Sequence, residues 1–491
     1  MIGAEAQEKA RSAAGTKRVA VIGAGAGGVA AAKYMIAAGF EVTVFETGSH
    51  VGGLWVYEND NGRAQAYRRL SIISSRRYTR FADFDFDDQT PAFPTHWDMH
   101  RYIDAYARHF GVTDRIRFKT PVRSVEPAFV PGRQSPRWRL VLADGTSEDF
   151  DAVLVATGHL NEPRHIDEYV TKFAGEYLHS SRYRVADPFV AKRVCVAGIG
   201  NSGVDIASEI CSVAERTVIV ARSGAIIQPK VLFGIPYTDI GLALRKWWIP
   251  YRVRAKLLSW VVYTAHGDLT RLGIARPAAK THPTLSESIV AHIEYNRITA
   301  KPGITAIDGH RITFADGSAE DFDVLIGATG YNVHLPFLAP DLVPIYGNRV
   351  DLYKRIFVPD WPGLCFIGML NPISTLNRIF EGQSKLVARY ISGEVALPAA
   401  AEMYADIQRR NQVNDATYVQ SARHEMEEPD VGYLEELEQL IADGVVRARY
   451  GGRAPAWLRS ARVRLAAQRL RDRRLRDRHS RRTPRRTAPR T

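Results

Sequence analysis

After Arg18, apolar residues run unbroken to residue 22 (RVAVI), break at a glycine-rich loop, resume as a helical pattern over about 27–38, and return within 41–46 (EVTVFE). Short continuous apolar runs bounded by turn residues fit strands buried on both faces of a parallel sheet. The same succession recurs at 193–197 (RVCVA), a second glycine loop, a helix to about 213, and a strand at 217–221 (TVIVA). Residues 61–130 are mixed, rich in aromatics and arginine, and 224–290 carry apolar stretches that read as helical. A last apolar run at 363–368 (GLCFIG) predicts a strand, followed by a helix from about 381. Strand, glycine loop, helix, strand, twice over, predicts an α/β protein with two nucleotide-binding units.

Both loops have the form G-x-G-x-x-G: Gly23, Gly25 and Gly28 with Gly27 between them, then Gly198, Gly200 and Gly203 with Asn201 and Ser202 between them. The first glycine permits a tight turn, the second lets backbone approach a pyrophosphate, and the third lets the helix pack on the strand. Exposed N–H groups at the helix start then face the phosphates. Asp205 lies in the helix after the second loop and joins the second candidate set.

The end of the second strand sorts the nucleotides. In the first unit that place holds Glu46, whose carboxylate accepts hydrogen bonds from ribose hydroxyls and repels a 2′-phosphate. In the second it holds Arg222 and Ser223, a guanidinium and a hydroxyl suited to a 2′-phosphate. The first unit is therefore expected to hold FAD and the second NADPH.

A repeat closes each unit. Residues 143–158 read ADGTSEDFDAVLVATG and residues 315–330 read ADGSAEDFDVLIGATG, identical at ten of sixteen positions. Ala156, Thr157 and Gly158 thus stand in the first unit where Ala328, Thr329 and Gly330 stand in the second.

Between the units lies Phe173-x-Gly175-x-x-x-His179-x-x-x-Tyr183. With this F-x-G-x-x-x-H-x-x-x-Y the chain resembles the flavin-containing monooxygenases. Gly52-Gly53-Leu54-Trp55, Ala328-Thr329-Gly330-Tyr331, Leu352-Tyr353-Lys354 and Glu381-x-Gln383-x-Lys385 resemble that family's GGxW, ATGY, LYK and E-x-Q-x-R segments, the last with Lys for Arg. The resemblance covers residues 17–395 or so. It implies two Rossmann-like dinucleotide-binding domains, the NADPH domain inserted in a discontinuous FAD domain. The expected boundaries are a disordered lead-in (1–16), the N-terminal segment of the FAD domain (17–170), the NADPH domain (171–330, with the insertion 224–290), the C-terminal segment of the FAD domain with its closing helices (331–452), and a tail (453–491). It further implies FAD contacts at Gly53, Leu54, Trp55, Val122 and Gly368. In the implied chemistry, NADPH reduces FAD, dioxygen adds as a C4a-hydroperoxyflavin, and a soft nitrogen or sulfur of a small organic substrate takes one oxygen atom. His179 reads as a linker residue rather than a proton shuttle. Tyr331 and Asn377 are expected beside the substrate pocket.

One position departs from the family. Spacing from Tyr67 to Phe81 puts Ile73 where the family carries Asn, and isoleucine can donate no hydrogen bond. Ser71, Ser74 or Ser75 is left to replace it, or NADPH is oxidised with release of hydrogen peroxide. Two other activities stay open, a Baeyer–Villiger oxygenation of ketones and a weakly coupled NADPH oxidase. Tyr183 ends the fingerprint where the Baeyer–Villiger enzymes have Trp, which favours heteroatom oxygenation. A flavin disulfide reductase needs a C-x-x-C or C-x₄-C, and Cys195, Cys211 and Cys365 supply neither. A nucleotide-sensing module without catalysis is disfavoured by two intact loops flanking the fingerprint.

Charge and cysteine content add the remaining expectations. The net charge of +13 comes from residues 453–491, with fifteen arginines and two aspartates. The rest is neutral, which argues against a nucleic-acid enzyme. The tail reads as disordered, with contact to anionic membrane as the second reading. Apolar residues 257–263 follow Arg252, Arg254 and Lys256 and read as a packed helix, or else as one lying on a membrane. Few cysteines and no leader or spanning segment place the protein in the cytoplasm, membrane-peripheral in the second reading. No metal site is expected, and oligomeric state is not legible.

Overall fold

The computed structural model describes residues 16–451, apart from 134, 245–255, 258–259, 261–262, 373–374, 420, 422–423 and 429. The lead-in, most of the apolar stretch 257–263 and the arginine-rich tail lie outside the described residues.

Two five-stranded sheets organise the chain. In the first, Arg18–Ile22 lies at the centre, flanked by Glu41–Phe45 and Ala152–Val155, with Ile116–Arg117 and Leu364–Phe366 at the edges, all parallel. In the second, Arg193–Ala197 is central between Arg216–Val220 and Val324–Gly327, with Thr299–Lys301 and Glu176–His179 outermost, again all parallel. The unbroken apolar runs fit this placement, since Val19, Ala20 and Val21 are all at 0% exposure. The first sheet takes its edge strand Leu364–Phe366 from beyond the second sheet, so the first unit is discontinuous and the second inserted within it. The two connections meet as a short antiparallel pair, Tyr331–Asn332 with Glu162–Pro163.

The sixteen-residue repeat does the same job twice. Each copy forms the last turn of a three-stranded antiparallel meander, then returns as a strand beside the glycine-loop strand. The meanders are Val122–Ala128, Arg137–Leu142 and Ser147–Phe150, then Ile304–Asp308, Arg311–Phe314 and Ala319–Asp321.

Helix Ala26–Ala37 packs across the first sheet, and Leu376–Ile391 packs across that helix. The second of these begins at Leu376, not near 381. Ile379 and Phe380 are buried and extend the apolar face by a turn. The described part of 224–290 is less helical than its apolar content predicts. It holds helix Tyr237–Leu244 and the start of Ile289–Glu294, with strand pairs Ile227–Gln228 to Thr284–Leu285 and Val231–Leu232 to Ile235–Pro236. Pro229, Gly234, Pro236, Pro277 and Pro283 interrupt longer helices there. No described helix is long and apolar enough to cross a membrane.

Candidate active site

Both glycine loops are closed by their own ATG segment. A Cβ on Gly28 would stand 1.8 Å from the Gly23 carbonyl oxygen, and one on Gly203 would stand 2.0 Å from that of Gly198. Gly23 and Gly198 have φ of 102° and 130°, and Cβ atoms there would meet the Ala156 and Ala328 carbonyls at 2.8 and 2.3 Å. Helices Ala26–Ala37 and Asn201–Ile210 start behind glycine N-caps with no side-chain cap and no acid in the first turn. Their leading N–H groups are therefore open to an anion.

Around the first loop the chain folds into a cradle. Gly52 donates its N–H to the Ala24 carbonyl (3.0 Å), and a Cβ on Gly53 would lie 3.1 Å from Gly25 Cα. Short helical turn Gly53–Trp55 leaves Leu54 exposed and Trp55 half-buried. Buried Glu46 accepts from the N–H groups of Ala24 and Gly48, each at 2.7 Å, so its carboxylate shapes the loop as well as marking the strand end. Thr120 donates its N–H to the Glu46 carbonyl (2.9 Å), which sets the chain just before Val122 against this strand end. Thr157 Oγ1 is buried with no hydrogen-bond partner among the described residues. A glycine cradle, open helix N–H groups and an orphaned hydroxyl fit a dinucleotide.

The C-terminal motifs scaffold Gly368. Its N–H donates to Gln383 Oε1 (2.8 Å), Gln383 Nε2 donates to Tyr433 Oη (2.8 Å), and that hydroxyl donates to the Lys354 carbonyl (2.7 Å). Glu381 accepts from the Ala82 N–H (2.9 Å).

The second loop opens on a cavity of about 410 Å³. Gly198, Gly200, Asn201, Ser202, Gly203, Arg222 and Ser223 form one side. His159, Thr281, His282, Asn371 and Met426 line it too, along with Gly330 and Tyr331. The cavity therefore joins the second glycine loop to the first unit. Arg222 is exposed and makes no hydrogen bond or ion pair among the described residues, a cation available to a phosphate. Asn201 Oδ1 accepts from the Leu285 N–H (2.9 Å) and Thr284 Oγ1 donates to the Ile199 carbonyl (2.9 Å), so the 281–286 segment is fastened to the loop.

Several expected residues sit elsewhere. Asp205 is not among the cavity-lining residues; it accepts from Tyr67 Oη (2.9 Å) and lies 3.9 Å from Lys230 Nζ, and burial raises its pKa. Its helical position turns it to the underside, toward the 67–70 segment. Asn377 is buried and donates to the Thr79 carbonyl (2.9 Å) instead of lining a described cavity. Ile73 is half-buried. Ser74 pairs with Thr79 Oγ1 (2.6 Å), and Ser75 bonds Asp239 while accepting from the Tyr78 N–H (3.1 Å). Both hydroxyls are thus held locally.

The fingerprint is a structural element. Phe173 and Tyr183 are buried in the core, and a Cβ on Gly175 would meet the Asp323 carbonyl at 2.5 Å. His179, 1% exposed, accepts at Nδ1 from the Ser181 N–H (3.1 Å) and donates from Nε2 to the Gly330 carbonyl (3.0 Å). That pairing fixes one neutral tautomer, and burial lowers the pKa to about 4. The ring packs on Tyr331 at 5.3 Å, consistent with a positioning role.

Sequence reasoning missed His159, His282, Asn371 and Glu427. His282 and Glu427 are 145 residues apart, and no local spacing links them.

A family model described as flavin-binding monooxygenase-like matches residues 16–445. Flavin-containing monooxygenase 5 of Homo sapiens is 32% identical over 445 residues, 87% of this chain and 83% of that protein. Dimethylaniline monooxygenase [N-oxide-forming] 2 of Mus musculus is 30% identical over 445 residues, 86% of this chain and 82% of its own. Among solved structures, S-allyl-L-cysteine S-oxygenase from Allium sativum aligns at a TM-score of 0.66 and 24% identity over 93% of each chain. An open form of cyclohexanone monooxygenase aligns at a TM-score of 0.64 and 15% identity, over 88% of this chain and 98% of its own. Those two structural likenesses share the fold of two Rossmann-type domains. Duplicated glycine loops, the intervening fingerprint and the family match together make this chain a member of the flavin-binding monooxygenase-like family, an enzyme that uses FAD and NADPH.

Proposed function

We propose that the chain oxygenates a soft nitrogen or sulfur centre of a small organic molecule. Gly23, Gly25, Gly27 and Gly28, with Glu46, Gly53–Trp55, Val122, Ala156–Gly158 and Gly368, hold FAD. Gly198–Gly203, Arg222 and Ser223 hold NADPH. The observation that carries this reading is the contrast at equivalent strand ends, a buried Glu46 carboxylate against an Arg222 guanidinium with no partner among the described residues. Bound flavin, once reduced by NADPH, supplies activation of dioxygen and transfer of one oxygen atom. The chain's role is to bind, orient and exclude water. The glycine loops fix the two dinucleotides, and His179 holds the Gly330–Tyr331 turn against the cavity. The N-oxide-forming name of the mouse relative supports the heteroatom choice.

The antiparallel pairing of 162–163 with 331–332, where the chain passes between the two sheets, supports the division into an interrupted FAD domain and an inserted NADPH domain. Three free cysteines support a reducing, cytoplasmic setting, with anionic lipid as a secondary contact of the arginine-rich tail.

The test is NADPH oxidation by the purified yellow enzyme, with oxygen uptake, peroxide and products followed across sulfides, tertiary amines and ketones. Sulfoxide or N-oxide is the expected product. Ester or lactone from ketones, with sulfides and amines untouched, overturns the reading.

A further inference from the structure

Beside the second glycine loop, on the segment fastened to it, the cavity holds a histidine backed by a carboxylate. His282 Nδ1 lies 3.0 and 3.2 Å from the two oxygens of Glu427, whose side chain is 0% exposed. An ionised carboxylate only accepts, so Nδ1 carries the proton. That tautomer leaves Nε2 to take a second proton or give it up. Glu427 is fixed in turn by Asn371 Nδ2 (2.5 Å) and belongs to strand Glu427–Glu428, paired with Asn371–Pro372. Asn371, His159 and His282 line the same cavity as Gly330 and Tyr331, where the two units meet.

We propose that His282, held by Glu427, is a catalytic proton donor of this enzyme. The inference rests on the monooxygenase reading above. Monooxygenation converts NADPH, dioxygen, substrate and one proton to NADP⁺, oxygenated substrate and water. Two electrons leave NADPH, one oxygen atom joins the substrate, and the other leaves as water. In the proposed step the Nε2–H bond of the imidazolium breaks and an O–H bond of that water forms. Neutral His282 keeps its Nδ1–H on Glu427 and regains the Nε2 proton from solvent.

The surroundings suit this use. His424 Nε2 accepts from the His282 N–H (3.2 Å), so it faces the ring's backbone as an uncharged acceptor. His159, which lines the same cavity and feels the charge of His282, has a pKa lowered to about 4, chiefly by desolvation, and so stays neutral. Glu428, the neighbour of Glu427, is paired with Arg355 (3.4 Å) and Arg410 (2.6 Å). Glu427 is therefore the carboxylate that faces His282.

The experiment compares FAD-loaded wild type, H282Q, H282A and E427Q with a sulfide substrate from about pH 6 to 9. In wild type, kcat is expected to fall as pH rises across this range, as the proton supply from Nε2 runs out. H282Q is expected to lose about 100-fold in kcat and the pH dependence with it. Added imidazole restores some of the H282A rate, and E427Q moves the falling limb to lower pH. The Kd of NADP⁺, read from the flavin spectrum without turnover, stays within about twofold of wild type in H282Q, as a proton role requires and a nucleotide-positioning role does not. Unchanged kcat and pH profile in H282Q, or a raised Kd that accounts for the whole loss, overturns the inference while sulfide oxygenation by wild type upholds the activity. Should wild type oxygenate nothing, the activity reading fails. The same comparison on oxygen uptake then decides His282, because reducing dioxygen to hydrogen peroxide also consumes one proton.

Discussion

Replacing Arg222 by alanine tests the sorting of the two nucleotides most directly. Arg222 lines the cavity beside Ser223 and the second glycine loop, is exposed, and has no partner among the described residues. Its removal therefore leaves no carboxylate unpaired and no core contact broken, and the melting temperature should not move. Its loss is felt only by a ligand with a charge at the 2′ position. A hydrogen bond to a charged group is worth ~1.5–3 kcal/mol, and exposure to solvent places this one near the lower end. About 1.5–2 kcal/mol corresponds to roughly a 10- to 30-fold rise in the KM for NADPH. NADH lacks the phosphate, so its KM should change by less than about threefold. Raising the salt concentration should narrow the difference between wild type and R222A for NADPH alone. Steady-state NADPH and NADH oxidation, monitored at fixed oxygen and substrate, gives all four constants. An equal rise for both nucleotides would mean that Arg222 holds the loop rather than reading the phosphate, and the assignment of the second unit would lose its support.

Other perturbations reach the rest of the site. Gly28→Ala puts a Cβ 1.8 Å from the Gly23 carbonyl oxygen, so the protein should purify without yellow colour; full flavin retention, read as the visible-to-ultraviolet absorbance ratio, contradicts the cradle. Ile73→Asn supplies the donor that Ser74 and Ser75, held by Thr79 and Asp239, do not, and should lower peroxide released per NADPH at least about twofold; unchanged peroxide yield refutes it. His179 has its pKa lowered to about 4 from 6.5, so the unfolded chain takes up a proton that the folded one refuses, and stability is lost as pH falls through that window. At about 1.4 kcal/mol per pH unit, wild type should lose roughly 2 kcal/mol more than H179Q between pH 7 and 5 in urea unfolding, and an identical loss in both refutes it.

The fold was legible wherever local pattern and global burial agree. The apolar runs at 18–22 and 193–197 are strands because no polar residue interrupts a stretch that must be buried on both faces. Boundaries failed where a partner decides them. Leu376 and Asn377 precede the expected helix start, and their turn is held by packing of Ile379 and Phe380 and by the Asn377 bond to Thr79, both contacts distant in sequence. Asp205 looked like a nucleotide ligand because it lies two residues past the glycine loop, yet its place in the second turn of the helix directs the side chain onto Tyr67. The Glu427 carboxylate could not be read at all. Its meaning depends on His282, which a distant stretch of the chain brings to it.

The repeat explains why two different nucleotides can share one design. Both copies of the sixteen-residue signature return a strand beside the glycine loop and end on an alanine carbonyl against the first glycine, at 2.8 and 2.3 Å from a Cβ placed there. Both helices open with uncapped N–H groups, so the two proposed pyrophosphate sites offer an anion the same backbone donors. Selectivity must then come from outside the repeated segment. The strand ends differ by two units of charge between Glu46 and Arg222, and they differ in fixation as well. Glu46 is buried and holds two backbone donors, so it cannot change without reshaping its loop. Arg222 holds nothing among the described residues and can change freely. On this account, substitutions at 222 should shift nucleotide preference in a folded enzyme, whereas substitutions at 46 should cost flavin and stability together. A folded, flavin-loaded E46Q with wild-type melting temperature would break the asymmetry on which that expectation stands.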